Sequence, residues 1–172
     1  MADLADLVFL DTETTGLGDN AQAIEIAIVD ADGAVIFESY CRPTVSVEPD
    51  AQAIHGIGQE NLAIAPAWPE IAEQVREALE GKTVVIFNSN FDMRILSQTA
   101  KAHGDQALWL GSLETKCVMY SAADLYGATN KYGTISLTNA AFAAGVKFQG
   151  KAHSAAGDAA TTALLWRAMR VL

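Results

Sequence analysis

The stretch Leu7–Gly18, LVFLDTETTGLG, opens as an apolar run and then sets Asp11 and Glu13 two residues apart. Side chains of a strand alternate between faces, so both carboxylates point the same way, with roots about 6.5–7 Å apart. At an effective dielectric near 20, two such charges repel by roughly 2.5 kcal/mol. A core strand that ends this way needs compensation, and a divalent cation is the obvious candidate.

Outward from that stretch the chain reads as a mixed α/β protein. DLVFLDT, AIEIAIVDA and AVIFESYCRP are three consecutive strands, with Asp32-Gly33 turning the second into the third. In PAWPEIAEQVREALEG, Ile71, Val75 and Leu79 recur every four residues, Pro69 suits the first helical turn and Gly81 ends the helix. KTVVIF is a short apolar strand of the kind covered on both faces. NFDMRILSQTAKAHG is helical, ALWLGSLETKCVMYSAADLYG holds a short strand and then a helix, and ISLTNAAFAAG and AAGDAATTALLWRAMRVL are helices. Strands first, then helices alternating with one or two further strands, give one sheet flanked by helices.

The 172 residues, 51% of them hydrophobic, fit a single domain over 1–172 with a sizeable core. No apolar run approaches membrane-spanning length, and no basic stretch precedes the first one, so neither a membrane segment nor a signal peptide is expected. Cys41 and Cys117 follow no metal spacing and read as two buried thiols of a cytoplasmic protein. A net charge of −10 argues against a protein that coats long nucleic acid, but not against a cation-assisted site gripping a few nucleotides.

Two further acids stand where they could join the first pair. Asp92 follows the apolar strand at a helix start, where a carboxylate also complements the helix dipole. Asp158 lies among Ala and Gly in the last helix, an unfavourable place for a solvated charge. His153 precedes Asp158 by five residues. On one helix the two would point about 140° apart. They converge only if His153 sits in the loop before the helix, with Ser154 as the cap. Taken singly, His153 and His55 read more readily as structural histidines than as catalytic ones.

FLDTETTGL, AIHGIGQENLAIAPAWPEI, VVIFNSNFDMRIL and KAHSAAGDAATTALL together resemble, in order, the successive motifs of the DEDD superfamily of 3′→5′ exonucleases. The histidine five residues before the final aspartate places the resemblance with the DEDDh branch, which includes proofreading polymerase subunits, exonuclease-X-like enzymes and RNase T. The resemblance implies a ribonuclease-H-like fold: a mixed five-stranded sheet with strand 2 antiparallel and helices on both faces. It implies that Asp11, Glu13, Asp92 and Asp158 hold two Mg²⁺ or Mn²⁺ ions and that His153 is the general base. It implies that Thr14, Gly16 and Leu17 hold the terminal nucleotide, with Leu17 wedged beside the last base. By the same resemblance His55, Asp50, Asn88 and Phe91 line the substrate groove. Glu114 stands where relatives carry an aspartate-threonine pair, and its role is left open.

The chemistry fits this set. Phosphodiester hydrolysis needs an activated water, neutralised phosphate charge and a stabilised leaving oxygen, all of which two divalent ions provide. Hard cations prefer carboxylate and phosphate oxygens, and an imidazole, with an ordinary pKa of about 6.5, suits proton abstraction near neutrality. The expected activity is 3′→5′ exonucleolysis of DNA at single-stranded or frayed ends, releasing 5′-mononucleotides. The alternatives are an exoribonuclease with the same site and a non-catalytic module that binds nucleic-acid ends. A haloacid-dehalogenase-type phosphatase would carry a second Asp in place of Glu13 and a phosphate-binding lysine. A homodimer or a polymerase association is left open.

Overall fold

The alternating runs at the start of the chain fold as an antiparallel meander, β1 (Leu7–Thr14), β2 (Ala23–Asp30) and β3 (Val35–Tyr40), in a computed structural model that describes residues 6–170. The β2–β3 turn is held by Asp30, whose Oδ1 accepts from the Asp32 and Ala34 amides at 2.9 Å each, while Gly33 takes φ +83°. The parallel strands β4 (Thr83–Ile86) and β5 (Glu114–Cys117) extend the sheet beyond β1. Among the described residues the five strands run in the order β3-β2-β1-β4-β5, with β2 alone antiparallel to the rest. This is the ribonuclease-H-like sheet.

Period-2 alternation sorts β1 between two cores. Val8 and Leu10 face α3 (Trp68–Leu79) and α4 (Ser89–Ala102), meeting Trp68, Ile71, Val75, Leu79, Ile95 and Leu96. Leu7 and Phe9 face the other side, against α5 (Val118–Tyr126), α6 (Leu137–Ala143) and α7 (Ala155–Met169). Asp11 and Glu13 continue this second series, toward the helix that carries Asp158. Across the first face, Thr99 of α4 accepts from the Ala23 amide at 2.8 Å and so ties that helix to β2.

Two short helices, α1 (Pro49–His55) and α2 (Gln59–Ala63), fill a segment that periodicity left unassigned. The reading of two buried thiols is corrected: both cysteines are free, but only Cys41 is buried, and Cys117 is half-exposed. The sequence expectation for the last helix runs to Leu172, and Val171 and Leu172 lie outside the described residues. No described helix is long and apolar enough to cross a membrane.

Candidate active site

At the end of β1, Glu13 is buried opposite Glu25 of β2, an unusual pairing of acids across an antiparallel ladder. Burial, then the charges of Asp92, Asp158, Glu13 and Glu25, hold the Asp11 carboxyl well above the usual range. Burial, followed by Asp158, Glu25 and Asp92, pushes Glu13 to about 8, with Lys151 opposing.

Asp92 enters from the first turn of α4. Its Oδ1 accepts from the Thr12 amide at 3.1 Å and the Thr12 hydroxyl at 2.8 Å, fixing the helix start against the neighbouring strand. Burial still lifts it to about 7, against those hydrogen bonds. Asn88 precedes α4, and its carbonyl accepts from the Phe91 and Asp92 amides.

The start of α7 brings in the last two groups. Ser154 caps the helix by accepting from the Gly157 amide, and the Asp158 amide bonds the Ser154 carbonyl. His153 lies outside the helix with φ +61°, a conformation uncommon for a residue with a side chain. Its amide donates to Asp158 Oδ1 at 3.1 Å, so the loop folds back over the first turn. Gly157 permits that: a Cβ there would lie 2.7 Å from the carbonyl oxygens of Gln149 and Lys151. Ligating atoms of Glu13, His153 and Asp158 consequently all lie within 4.8 Å of one another. Burial raises Asp158 to about 6, opposed first by the His153 amide. Asp11 and Asp92 belong to the same cluster: the charge of Asp92 adds to the rise at Glu13, and those of Glu13 and Asp158 add to the rise at Asp11.

A cavity of about 330 Å³ opens next to the acids, lined by Thr14, Gly16, Leu17, Asp50, His55 and Phe91 together with Glu13 and His153. The wall does not include Asn88. At Gly16 the Glu48 carboxyl lies over the space a Cβ would take, so that any side chain there would displace it. The Glu48 amide bonds the Thr15 carbonyl at 2.7 Å, closing the TTG turn onto the start of α1. Leu17 is 74% exposed at the mouth. The Arg94 guanidinium holds the Leu17 and Gly18 carbonyls at 3.2 Å each, while Gln98 bonds Gly18 and Ala21. Arg94 also lies 5.4 Å over the Phe91 ring. His55 is buried, and its Nδ1 accepts from the Ile57 amide at 3.0 Å, which leaves the neutral ring's proton on Nε2. That nitrogen has no hydrogen-bond partner among the described residues. Burial lowers the His55 pKa, with the Thr14 carbonyl opposing.

Sequence reasoning passed over Glu25, Glu48 and Arg94. For Glu25 the flanking isoleucines gave no signal, since they face the other side of the strand; the apolar Ala23, Ala27 and Val29 on its own face were the only local hint.

A buried and a half-buried carboxylate that meet one exposed imidazole, beside a concave pocket with an unpaired donor, form a site able to hold cations and a phosphate ester. A family model described as Exonuclease, of the RNase T type, matches residues 8–166, and the chain belongs to that family. It is an exonuclease-type hydrolase. It is 36% identical over 163 residues to the uncharacterized exonuclease CP81 of Escherichia phage 186, across 91% of this chain and 84% of that protein. It is 32% identical over 96 residues to DNA polymerase III subunit epsilon of Escherichia coli K12, across 50% of this chain and 40% of the subunit. To RNA exonuclease 4 of Gibberella zeae it is 27% identical over 170 residues, spanning 49% of that protein. A solved structure of Exonuclease X in complex with 5′ overhanging duplex DNA matches with a TM-score of 0.73 and 26% identity, over 96% of this chain and 92% of that one.

Proposed function

We propose that this protein is a divalent-cation-dependent 3′→5′ exonuclease acting on single-stranded or frayed DNA ends and releasing 5′-mononucleotides, with residues 1–172 working as one domain. The observation that carries this is the crowding of Asp11, Glu13, Asp92 and Asp158, whose carboxyls all rise above their ordinary range. Such a set is poorly tolerated as anions alone and fits hard cations, because its donors are carboxylate oxygens. When bound, two Mg²⁺ or Mn²⁺ ions would neutralise the scissile phosphate, acidify the attacking water and stabilise the leaving oxygen.

The chain's own groups do the rest. The four carboxylates hold the cations. His153, tethered through its amide to Asp158, takes the water's proton at a ring nitrogen that must be neutral to receive it. Leu17 and Phe91 pack the terminal base, Gly16 lets the TTG backbone approach the sugar, and the Nε2–H of His55 offers a donor to an oxygen of the end nucleotide. Asp50 and Glu48 make the far wall acidic, which favours a free 3′-hydroxyl over a 3′-phosphate.

A DNA substrate is supported by the likeness to the polymerase subunit and to Exonuclease X. RNA is a second reading, favoured by the likeness to RNA exonuclease 4. The test uses matched DNA and RNA oligonucleotides carrying label at either end, with Mg²⁺, Mn²⁺ or EDTA. With either cation the 3′ label leaves first, as a 5′-monophosphate, and DNA is cut faster than RNA. Early mononucleotide release from the 5′ end would refute the polarity, and faster RNA cleavage would select the second reading.

A further inference from the structure

Glu25 is an acid for which the proposed reaction has no use. It is 7% exposed on β2, directly across from Glu13, and its charge worsens the repulsion among the cation-holding carboxylates. An acid kept in such a place must do something that offsets this. Its hydrogen bonding shows what: Oε2 accepts from the Ala155 amide at 2.9 Å, across 130 residues of sequence.

Ala155 is the first residue of α7, and its amide belongs to the turn that has no partner inside the helix. Three other hydrogen bonds at this corner are local to the segment. His153 donates to Asp158, Gly157 to Ser154, and Ser154 to the Lys151 carbonyl. Lys151 reaches the His55 carbonyl at 3.2 Å through a long, flexible side chain. The Ala155–Glu25 bond therefore joins the backbone of the first turn to the sheet that carries Glu13. That turn bears Asp158, and His153 stands two residues before it.

We infer that Glu25 is a positioning residue: through Ala155 it sets the distance of His153 and Asp158 from Glu13. The inference rests on the proposed function of that site. It needs the acceptor oxygen and the length of the side chain, not the negative charge, although the charge also complements the helix N-terminus.

Two variants of nearly equal length separate these. Glu25→Gln removes the charge and keeps an acceptor, and Glu25→Met removes both. The closing experiment measures single-turnover cleavage of a 5′-labelled single-stranded oligonucleotide, the Mg²⁺ concentration for half-maximal rate, and amide hydrogen exchange at His153 and Ala155. Melting curves confirm that each variant is folded. Glu25→Gln is expected to keep the rate, the Mg²⁺ midpoint and the protection of both amides. Glu25→Met is expected to lose that protection and to slow the chemical step by about tenfold to a hundredfold with little change in KM. If both variants keep wild-type rate and protection, Glu25 positions nothing. If both are equally slow, or if Glu25→Gln shifts the Mg²⁺ midpoint, the residue acts through its charge, as a cation ligand, and the inference is overturned. A wild-type protein that cuts nothing would refute the proposed function instead, while hydrogen exchange would still report on the Glu25–Ala155 bond.

Discussion

Asp158 and His153 share one hydrogen bond, but the proposed mechanism gives them different tasks, which substitution separates. Asp158→Ala or Asp11→Ala removes a cation ligand and no core volume. Activity should fall by more than the roughly 10–100-fold typical of losing an outer hydrogen-bond partner, with the melting temperature of the metal-free protein kept or raised. His153→Gln leaves all four carboxylates and should cost about 10²–10⁴-fold in rate without moving the Mg²⁺ midpoint, since an amide can hold water but not take its proton. Single-turnover rates against Mg²⁺ concentration check both. A histidine variant that melts early but keeps its rate per folded molecule would make His153 a structural residue. At this scale the sequence was readable where chemistry sits on a strand or next to a break. Asp11 and Glu13 follow from period 2, and the placing of His153 outside the helix follows from the angle it would otherwise make with Asp158. The clasp of Arg94 on the Leu17 and Gly18 carbonyls joins residues 76 and more apart and left no local pattern to read.

The helices and their breaks carry the geometry. The first turn of α7 is packed so tightly under the 149–154 loop that Gly157→Ala must shift either the Gln149 and Lys151 carbonyls or the helix itself. We expect a loss of about 1–3 kcal/mol in stability, typical of overpacking, together with a slower chemical step from displaced His153. Urea denaturation and single-turnover cleavage measure the two effects, and a variant with unaltered stability and rate would show that the corner has slack. The long elements were legible because their patterns are long: α3 buries Trp68, Ile71, Val75 and Leu79 on one stripe. The short helices α1 and α2 were not, since seven and five residues complete too few turns to show a period. They matter nonetheless, because α1 supplies Asp50, Ile54 and His55 to the cavity wall.

For the molecule as a whole, the acid cluster couples folding to pH and to cations. In the folded, metal-free protein Glu13, Asp92 and Asp158 keep their protons up to about 8, 7 and 6, against 4.5, 3.8 and 3.8 for ordinary carboxyls. Between those limits the folded state holds more protons than the unfolded one, so stability is greatest at the acid end and declines as pH rises through the folded values. Cations compete with those protons. Mg²⁺ should therefore raise the melting temperature more at about pH 8 than at about pH 5. Equal shifts at both, read by calorimetry, would detach the cluster from cation binding. The net charge of −10 acts in the same direction, since it repels a phosphate chain unless cations offset it.

The central claim is that these carboxylates hold cations against the scissile phosphate, and sulphur substitution tests it most directly. An oligonucleotide is prepared with one non-bridging oxygen of its last 3′ linkage replaced by sulphur, each stereoisomer separately, and cleaved under single-turnover conditions. Mg²⁺ binds sulphur poorly, whereas Mn²⁺ accepts it more readily. We predict that one stereoisomer is cut much more slowly than the all-oxygen strand in Mg²⁺, that Mn²⁺ restores most of the rate, and that EDTA abolishes cleavage of both strands. Equal slowing in the two metals, or cleavage that persists in EDTA, would contradict the account.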